Sequence, residues 1–338
     1  MLINMIKCGF IVFEKPRRVV IKYRDLPKPS GKQILVKTSM TLISTGTELT
    51  VLSGDFPPKS AWAEYGKYPF IPGYSNVGIV VEKGREVKDI DIGDRVASTA
   101  PHSQYALISS KDVVKIPDKV SDEEAVFHTI AIIVMNSVRL ARISLGDCVI
   151  VMGVGLLGQF AIIFSKLCGG FPIIAVDLSE KRLRLAKISG ATKTIIGNNI
   201  YDKIYELTDG RFADIVFEVT GNPKVIPKAI RLLRPLGKFI VLSSPRGPTL
   251  LDFHDEVNRP SRIIIGTHNS SHPLYETPYN PWTMKRNREL FFKLLENEII
   301  DVKHLITHRY WWMDADKAYS MLLKNRTQAM GVILDFKK

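Results

Sequence analysis

The stretch Cys148–Ala161, CVIVMGVGLLGQFA, decides the fold of this chain. An apolar run typical of a buried strand leads directly into Gly153, Gly155 and Gly158, and a helical pattern follows them. In a G-x-G-x-x-G motif the first glycine permits a tight turn, the second leaves room for a pyrophosphate, and the third lets helix and strand pack closely. The free N–H groups at the helix N-terminus then bind the diphosphate. The stretch therefore predicts a dinucleotide-binding βαβ unit.

An acidic residue follows at the distance that such a unit requires. Asp177 stands nineteen residues after Gly158, at the end of the apolar run PIIAV. A carboxylate there accepts hydrogen bonds from both ribose hydroxyls and repels a 2′-phosphate, so NAD rather than NADP is the expected cofactor. The alternative is a glycine turn beside a surface aspartate, which the strand–turn–helix context disfavours.

Small and polar residues end two later apolar runs. DIVFEVTG ends on Thr220 and Gly221, and GKFIVLSS reaches Ser243. Open α/β sheets bind ligands at such carboxyl strand ends, although small residues also occur there for packing reasons alone. The cofactor-binding candidates are Gly153, Gly155, Leu157, Gly158, Asp177, Thr220, Gly221 and Ser243.

The order of the elements predicts an α/β protein with three segments. Residues 1–121 show short β-forming runs broken by Pro and Gly, the pattern of a compact, mostly antiparallel barrel. Residues 122–270 alternate apolar strands with helical segments, which predicts a doubly wound parallel sheet of the Rossmann type. Residues 271–338 offer two helices and a strand. Ser121 and Glu124 form a capping-box pattern at the start of one long helical stretch.

Composition narrows the class of protein. The chain has 338 residues, of which 45% are hydrophobic and 24% charged, as in ordinary globular enzymes. No apolar run reaches the roughly 18 residues of a membrane helix, and the N-terminus lacks the charge order of a signal peptide, so a cytoplasmic protein is expected. The net charge of +13 leaves an RNA-binding surface as an alternative. The basic residues are spread along the chain, which favours an ordinary basic surface.

The chain resembles the medium-chain dehydrogenase/reductase superfamily over nearly its whole length. The segments that carry the resemblance are ISTGTELTVLSGDFP, FIPGYSNVGIVVEKG, DIDIGDRVA and LGDCVIVMGVGLLGQFA. The resemblance implies a GroES-like catalytic domain at the N-terminus, a Rossmann NAD-binding domain, and a C-terminal return to the catalytic domain. Within the superfamily the chain is most similar to the bacteriochlorophyllide a dehydrogenase-like branch and to certain two-domain oxidoreductases.

The resemblance also shows where the zinc ligands of many relatives would lie. The family motif C-x-T/S-D/E reads Thr45-Gly46-Thr47-Glu48 here, and the family motif P-G-H-E reads Pro72-Gly73-Tyr74-Ser75. The third ligand position corresponds to His128. A catalytic zinc needs three protein ligands, and one metal-binding residue in three positions predicts that no metal is bound. With three cysteines in all, the four-cysteine zinc lobe is absent too.

Without zinc, side chains must take the hydroxyl proton and stabilise charge on oxygen. The resemblance gives Thr47 the role of proton relay and Glu48 that of an acid supporting the site. Tyr74 replaces a zinc-binding histidine, His128 would act as an acid or base, and His102 would lie at the rim of the cleft. Each has a plainer explanation: Tyr74 fills the space left by the metal, His128 is a core histidine, and Glu48 is a structural acceptor.

These observations lead to an NAD(H)-dependent oxidoreductase acting on an alcohol, polyol or sugar-like substrate. A zinc-free quinone or enone reductase is the alternative within enzymes, although such enzymes usually prefer NADPH. A non-catalytic dinucleotide- or RNA-binding protein is the alternative outside them. The segment RIIIGTH is expected to form the outer Rossmann strand and to pair with a second copy in a homodimer. The loop after this strand is expected either to cover the substrate or to pack in a subunit interface. It contains His268, His272, Tyr275, Tyr279 and Trp282.

Overall fold

A computed structural model describes residues 5–197 and 199–337 of the chain. The strands are β1 Ile6–Lys15, β2 Arg18–Leu26, β3 Gln33–Leu42, β4 Asn76–Lys83, β5 Arg95–Ser98, β6 Tyr105–Ser109, β7 Val114–Lys115, β8 Val149–Met152, β9 Ile173–Asp177, β10 Lys193–Ile196, β11 Ala213–Glu218, β12 Leu233–Val241, β13 Ile263–Gly266, β14 Ile306–Trp311 and β15 Gly331–Asp335. The helices are α1 Thr47–Ser53, α2 Ala61–Tyr65, α3 Asp122–Ala125, α4 His128–Ala141, α5 Leu156–Leu167, α6 Glu180–Ser189, α7 Ile200–Leu207, α8 Ile226–Ala229, α9 Met284–Glu296 and α10 Ala315–Asn325. Short 3₁₀ and π turns connect several of them.

The chain divides into two compact units. Unit 1 comprises residues 1–129 and 283–338, and unit 2 comprises residues 130–282. Unit 1 is therefore built from two separate stretches of sequence, whereas unit 2 is continuous. The sequence analysis placed its segment boundaries at residues 121 and 270.

Unit 2 contains the predicted Rossmann fold. Its six strands lie in the order β10-β9-β8-β11-β12-β13, and every neighbouring pair is parallel. All residues of β8 and β11 are buried, because helices cover both faces of a parallel sheet and leave no polar side for the central strands. The continuous apolar runs of the sequence are explained by this burial.

Unit 1 contains the predicted, mostly antiparallel β structure. A sheet in the order β14-β15-β3-β4-β5-β7, with β6 paired to β3, lies beside a separate hairpin of β1 and β2. Only the β14–β15 pair is parallel. Phe13, Trp312 and Tyr319 are fully buried and anchor one core, where the rings of Phe13 and Tyr319 meet edge to face. The fold class predicted from the sequence is confirmed.

The capping box predicted at Ser121 is present. The Ser121 hydroxyl accepts from the Glu124 backbone N–H at 3.2 Å, and the Glu124 carboxylate accepts from the Ser121 N–H at 3.0 Å. The helical stretch that follows is not continuous, however, because α3 ends at Ala125 and α4 begins at His128. The break fixes where His128 lies, at the first turn of a new helix.

Candidate active site and cofactor site

The glycine loop between β8 and α5 has the shape that a dinucleotide requires. Gly153 has a φ of +91°, and a side chain there would lie 2.9 Å from the Thr220 methyl group. A Cβ on Gly158 would lie 2.2 Å from the Gly153 carbonyl oxygen, so only glycine fits. At Gly155 the nearest atom to such a Cβ is Arg182 Nη1 at 3.9 Å. Protein atoms therefore fill the space beside Gly153 and Gly158, whereas the space beside Gly155 is free. There a pyrophosphate would approach the helix N-terminus.

Asp177 ends β9 beside this loop. Its Oδ2 accepts from the Val154 backbone N–H at 2.8 Å, and its Oδ1 accepts from the Ser179 N–H at 2.9 Å. These bonds fix the carboxylate and leave lone pairs on both oxygens, because a carboxylate accepts up to about four hydrogen bonds. Burial lowers the pKa of Arg182, and the negative charge of the nearby Asp177 partly offsets this effect. The residues fit the adenosine ribose of a nicotinamide dinucleotide.

The carboxyl ends of β11 and β12 meet at a carboxylate that sequence reasoning missed. Glu218 is fully buried, and its two oxygens accept hydrogen bonds from the hydroxyls of Thr220 and Ser243. The Thr220 backbone N–H also donates to Glu218, at 2.8 Å. Gly221, with a φ of +68°, turns the chain directly afterwards. Two of the predicted strand-end residues are thus held by one acid, which the quoted run DIVFEVTG contained without any sign of this role.

In unit 1 three hydroxyl groups lie together. The Tyr74 phenol donates a short hydrogen bond to the Ser44 hydroxyl, and its Oη lies 3.4 Å from Thr47 Oγ1. Burial raises the pKa of Tyr74 to about 12, so the phenol is neutral at pH 7 and serves as a donor. Thr47 and Tyr74 are therefore brought together as the sequence suggested. Ser44 was missed, since a serine in a strand-to-helix loop carries no distinguishing signal.

Glu48 and His102 also come together, in a buried network. The Glu48 carboxylate accepts from the Ser44 backbone N–H at 3.0 Å and from the Tyr319 phenol, and His102 Nε2 lies 3.1 Å from it. His102 Nδ1 bonds Thr41 Oγ1 at 2.7 Å. Burial, followed by the Glu48 charge, raises the pKa of Tyr319 well above its usual value. The expectation that His102 lies at an exposed rim is wrong, because the residue is fully buried.

The hydrogen bonds of His128 join it to Arg288 and Thr129 rather than to the hydroxyls of Ser44, Thr47 and Tyr74. It is fully buried, and its Nδ1 accepts from Arg288 Nε at 2.9 Å. Burial, and next the Arg288 charge, hold the pKa of His128 well below its usual value. The ring is therefore neutral at pH 7, and a guanidinium cation lies on its Nδ1 side.

The three family ligand positions do not fit a zinc ion. Thr45 offers a hydroxyl, the Tyr74 oxygen is engaged with Ser44, and His128 Nδ1 is occupied by Arg288. Within residues 5–197 and 199–337, no group of three or more His, Cys, Asp or Glu side chains is placed to hold a metal ion. Since a catalytic zinc needs three protein ligands, no step of the chemistry is assigned to one here.

The loop after β13 is partly buried and partly exposed. His272 is buried, with Nδ1 near the Asn269 carbonyl at 2.8 Å, whereas Tyr275 and Tyr279 are 80% and 98% exposed. Trp282 packs under the Arg139 guanidinium, 3.3 Å from the ring centre. The loop therefore presents two free aromatic rings on unit 2.

Comparison with known proteins places the chain in a family. The model described as alcohol dehydrogenase GroES-like domain matches residues 30–118, and the one described as zinc-binding dehydrogenase matches residues 157–279. The L-threonine 3-dehydrogenase of Pyrococcus horikoshii is 26% identical, with 90% of this chain and 91% of that protein covered. The D-guloside 3-dehydrogenase of Shigella flexneri is 28% identical, with 78% and 77% covered. The chain belongs to the medium-chain dehydrogenase/reductase superfamily of oxidoreductases.

Solved structures share the fold. A protein described as a short chain alcohol dehydrogenase of Escherichia coli CFT073, complexed with NADH, has a TM-score of 0.82 and 20% identity over 97% of this chain and 99% of its own. A dehydrogenase of Sinorhizobium meliloti 1021 bound to NADP has a TM-score of 0.80 and 19% identity, with 98% and 99% covered. Proteins with this fold thus bind either nicotinamide dinucleotide. No helix in the described part of the chain is long and apolar enough to cross a membrane.

Proposed function

We propose that this protein is an NAD-dependent dehydrogenase of alcohols, polyols or sugar-like compounds that works without a catalytic metal. The observation that carries the proposal is the hydroxyl group set of Tyr74, Ser44 and Thr47, which stands where the family pattern puts a metal ligand and a proton relay. Asp177 beside the glycine loop favours NAD over NADP, because its fixed charge repels a 2′-phosphate.

Dinucleotide binding and proton transfer involve different residues. Bound NAD accepts or supplies the hydride. The Gly153–Gly158 loop and Asp177 would hold the dinucleotide, and Thr47 Oγ1 would exchange a proton with the substrate hydroxyl. The Tyr74 phenol, which its high pKa keeps protonated at rest, lies next in this relay. In oxidation the substrate proton passes to Thr47 Oγ1, the Thr47 proton passes to Tyr74 Oη, and the phenol proton leaves through Ser44 Oγ to solvent; in reduction the transfers reverse. A donor of this kind stabilises the alkoxide that a zinc ion would otherwise stabilise.

A substrate panel tests the proposal. We expect reduced nicotinamide absorbance to appear with at least one alcohol, polyol or sugar when NAD is supplied, less with NADP, and at an unchanged rate in EDTA. Metal analysis of the same preparation should show far less than one zinc per chain. A stoichiometric zinc whose removal abolishes turnover would refute the metal-free mechanism. Turnover of quinones or enones with NADPH alone would favour the reductase alternative.

The edge of the six-stranded sheet supports a homodimer. β13 is the outermost strand, and its Ile263 and Ile264 are 49% and 38% exposed. An exposed apolar edge strand offers unpaired backbone groups to a second copy related by a two-fold axis. We expect light scattering at micromolar concentration to give a dimer or a higher multiple, and Ile263→Lys to shift the mass towards the monomer. A wild-type monomer would refute this assembly.

A further inference from the structure

A buried guanidinium in unit 1 lacks a counter-ion. Arg288 on α9 is 4% exposed, and its Nε donates to His128 Nδ1 at 2.9 Å. Among the residues that the structure describes, no carboxylate lies within 4 Å of it, and its two Nη groups have no hydrogen-bond partner. Burial lowers the pKa of Arg288 to about 10, an effect that Asp112 opposes from a greater distance. The side chain therefore keeps its charge at pH 7.

The histidine beside it accepts a hydrogen bond from this guanidinium. Because Arg288 Nε can only donate, His128 Nδ1 carries no proton, and in the neutral ring the proton is on Nε2. That Nε2 is buried and has no hydrogen-bond partner. The carbonyl groups of Asn76 and Ser98 lie near the ring and favour its charged form, but neither forms a hydrogen bond with Nε2 in the observed geometry.

Within the described residues, His128 Nδ1 is the one acceptor that bonds the Arg288 side chain, and no carboxylate lies beside it. Buried charges in proteins are usually paired, because burying an unpaired charge costs free energy of desolvation. A buried arginine without an anion therefore destabilises the fold. A planar guanidinium fits carboxylate and phosphate oxygens with two parallel hydrogen bonds.

We propose that Arg288 binds an oxyanion, a carboxylate or a phosphate carried by the substrate. The proposal rests on the proposed function and specifies its substrate class: the alcohol that is oxidised bears an anionic group. Two contacts connect Arg288 indirectly with the main chain of Tyr74: Arg288 bonds His128 Nδ1, and the neighbouring Thr129, whose Oγ1 lies 3.1 Å from that nitrogen, donates to the Tyr74 carbonyl at 2.7 Å. The anion site is therefore fixed to the residue that carries the phenol.

Calorimetric titration with simple anions tests the site without requiring turnover. Inorganic phosphate and acetate are titrated separately into the full-length protein in saturating NADH, at low ionic strength, so that the dinucleotide site is filled. We expect saturable binding of at least one anion, weakened tenfold or more in Arg288→Met. The phosphate and acetate arms distinguish a phosphomonoester from a carboxylate. The matched control is Arg286→Met, an exposed arginine on the same helix, which should bind as the wild type does.

Two further readouts separate a ligand site from a structural role. Without an anion, Arg288→Met should unfold at a temperature no lower than the wild type, since it removes an unneutralised buried charge. Arg288→Lys keeps the positive charge without the planar guanidinium and should bind the anion several-fold more weakly than the wild type. If Arg288→Met does not fold, Arg288→Lys is used in its place. Absence of saturable binding to the wild type, or equal binding by the position-288 variants, would overturn the proposal. Failure of NADH itself to bind would instead overturn the proposed function.

Discussion

Thr47→Val lowers turnover about 100-fold with an established substrate and leaves the NADH dissociation constant nearly unchanged, as expected when a group acts in proton transfer. The physical reason is that valine keeps the shape of threonine and removes the oxygen that lies 3.4 Å from the Tyr74 phenol. Steady-state kinetics and fluorescence titration of NADH give the two quantities. Thr50→Val is the matched control, since Thr50 lies on the same helix and its hydroxyl donates to the Gly46 carbonyl at 2.8 Å, away from Tyr74.

Tyr74→Phe completes this test. The phenyl ring retains the packing of Tyr74, but Ser44 and Thr47 lose the phenol oxygen that both contact. A large loss of turnover in both Thr47→Val and Tyr74→Phe supports a hydroxyl relay in place of a metal. If both variants turn over at nearly the wild-type rate, the assignment of the relay is wrong.

Gly158→Ala and Gly155→Ala should fail in different ways. A Cβ at position 158 would lie 2.2 Å from the Gly153 carbonyl oxygen, so α5 must move away from β8 and both folding stability and dinucleotide binding suffer. We expect NADH affinity to fall about 100-fold or more, equivalent to roughly 3 kcal/mol, together with a lower midpoint of thermal unfolding.

At position 155 an added Cβ meets no protein atom closer than 3.9 Å, and the φ of −67° suits alanine. Gly155→Ala should therefore unfold near the wild-type temperature and still bind NADH more weakly, because the methyl group occupies the place of the pyrophosphate. Thermal unfolding and NADH titration measure both effects. Wild-type NADH affinity in Gly155→Ala would show that the dinucleotide does not approach this glycine.

The parts of the site that the sequence predicts are those in which neighbours along the chain also act together. The glycine loop and Asp177 belong to one βαβ unit, so the spacing of a few residue types is sufficient to define them. The capping box of Ser121 and Glu124 is local in the same way. Likewise, continuous apolar runs predict the parallel sheet, and short runs broken by Pro and Gly predict the antiparallel one.

Contacts between distant parts of the chain escaped the sequence analysis. Tyr319 meets Glu48 across 271 residues, and Arg288 meets His128 across 160. A buried tyrosine or arginine on an amphipathic helix looks like any other residue of its type until the fold brings its partner near. The burial of His102 also arises from a contact between distant residues. Gly73 packs so closely against it that a Cβ at position 73 would lie 2.6 Å from the His102 backbone nitrogen.

The discontinuity of unit 1 sets an order for its folding. Strand β15 pairs with β3 on one side and β14 on the other, so this sheet closes only after the chain beyond residue 330 has been synthesised. The Rossmann unit is complete some fifty residues earlier and is free to fold while the ribosome is still translating the rest. Until then the end of β3 at residues 40–42 lacks its β15 partner, and the Glu48 carboxylate lacks its hydrogen bond from Tyr319. Nascent chains of this protein would therefore gain the capacity to bind a dinucleotide before they gain their reactive centre.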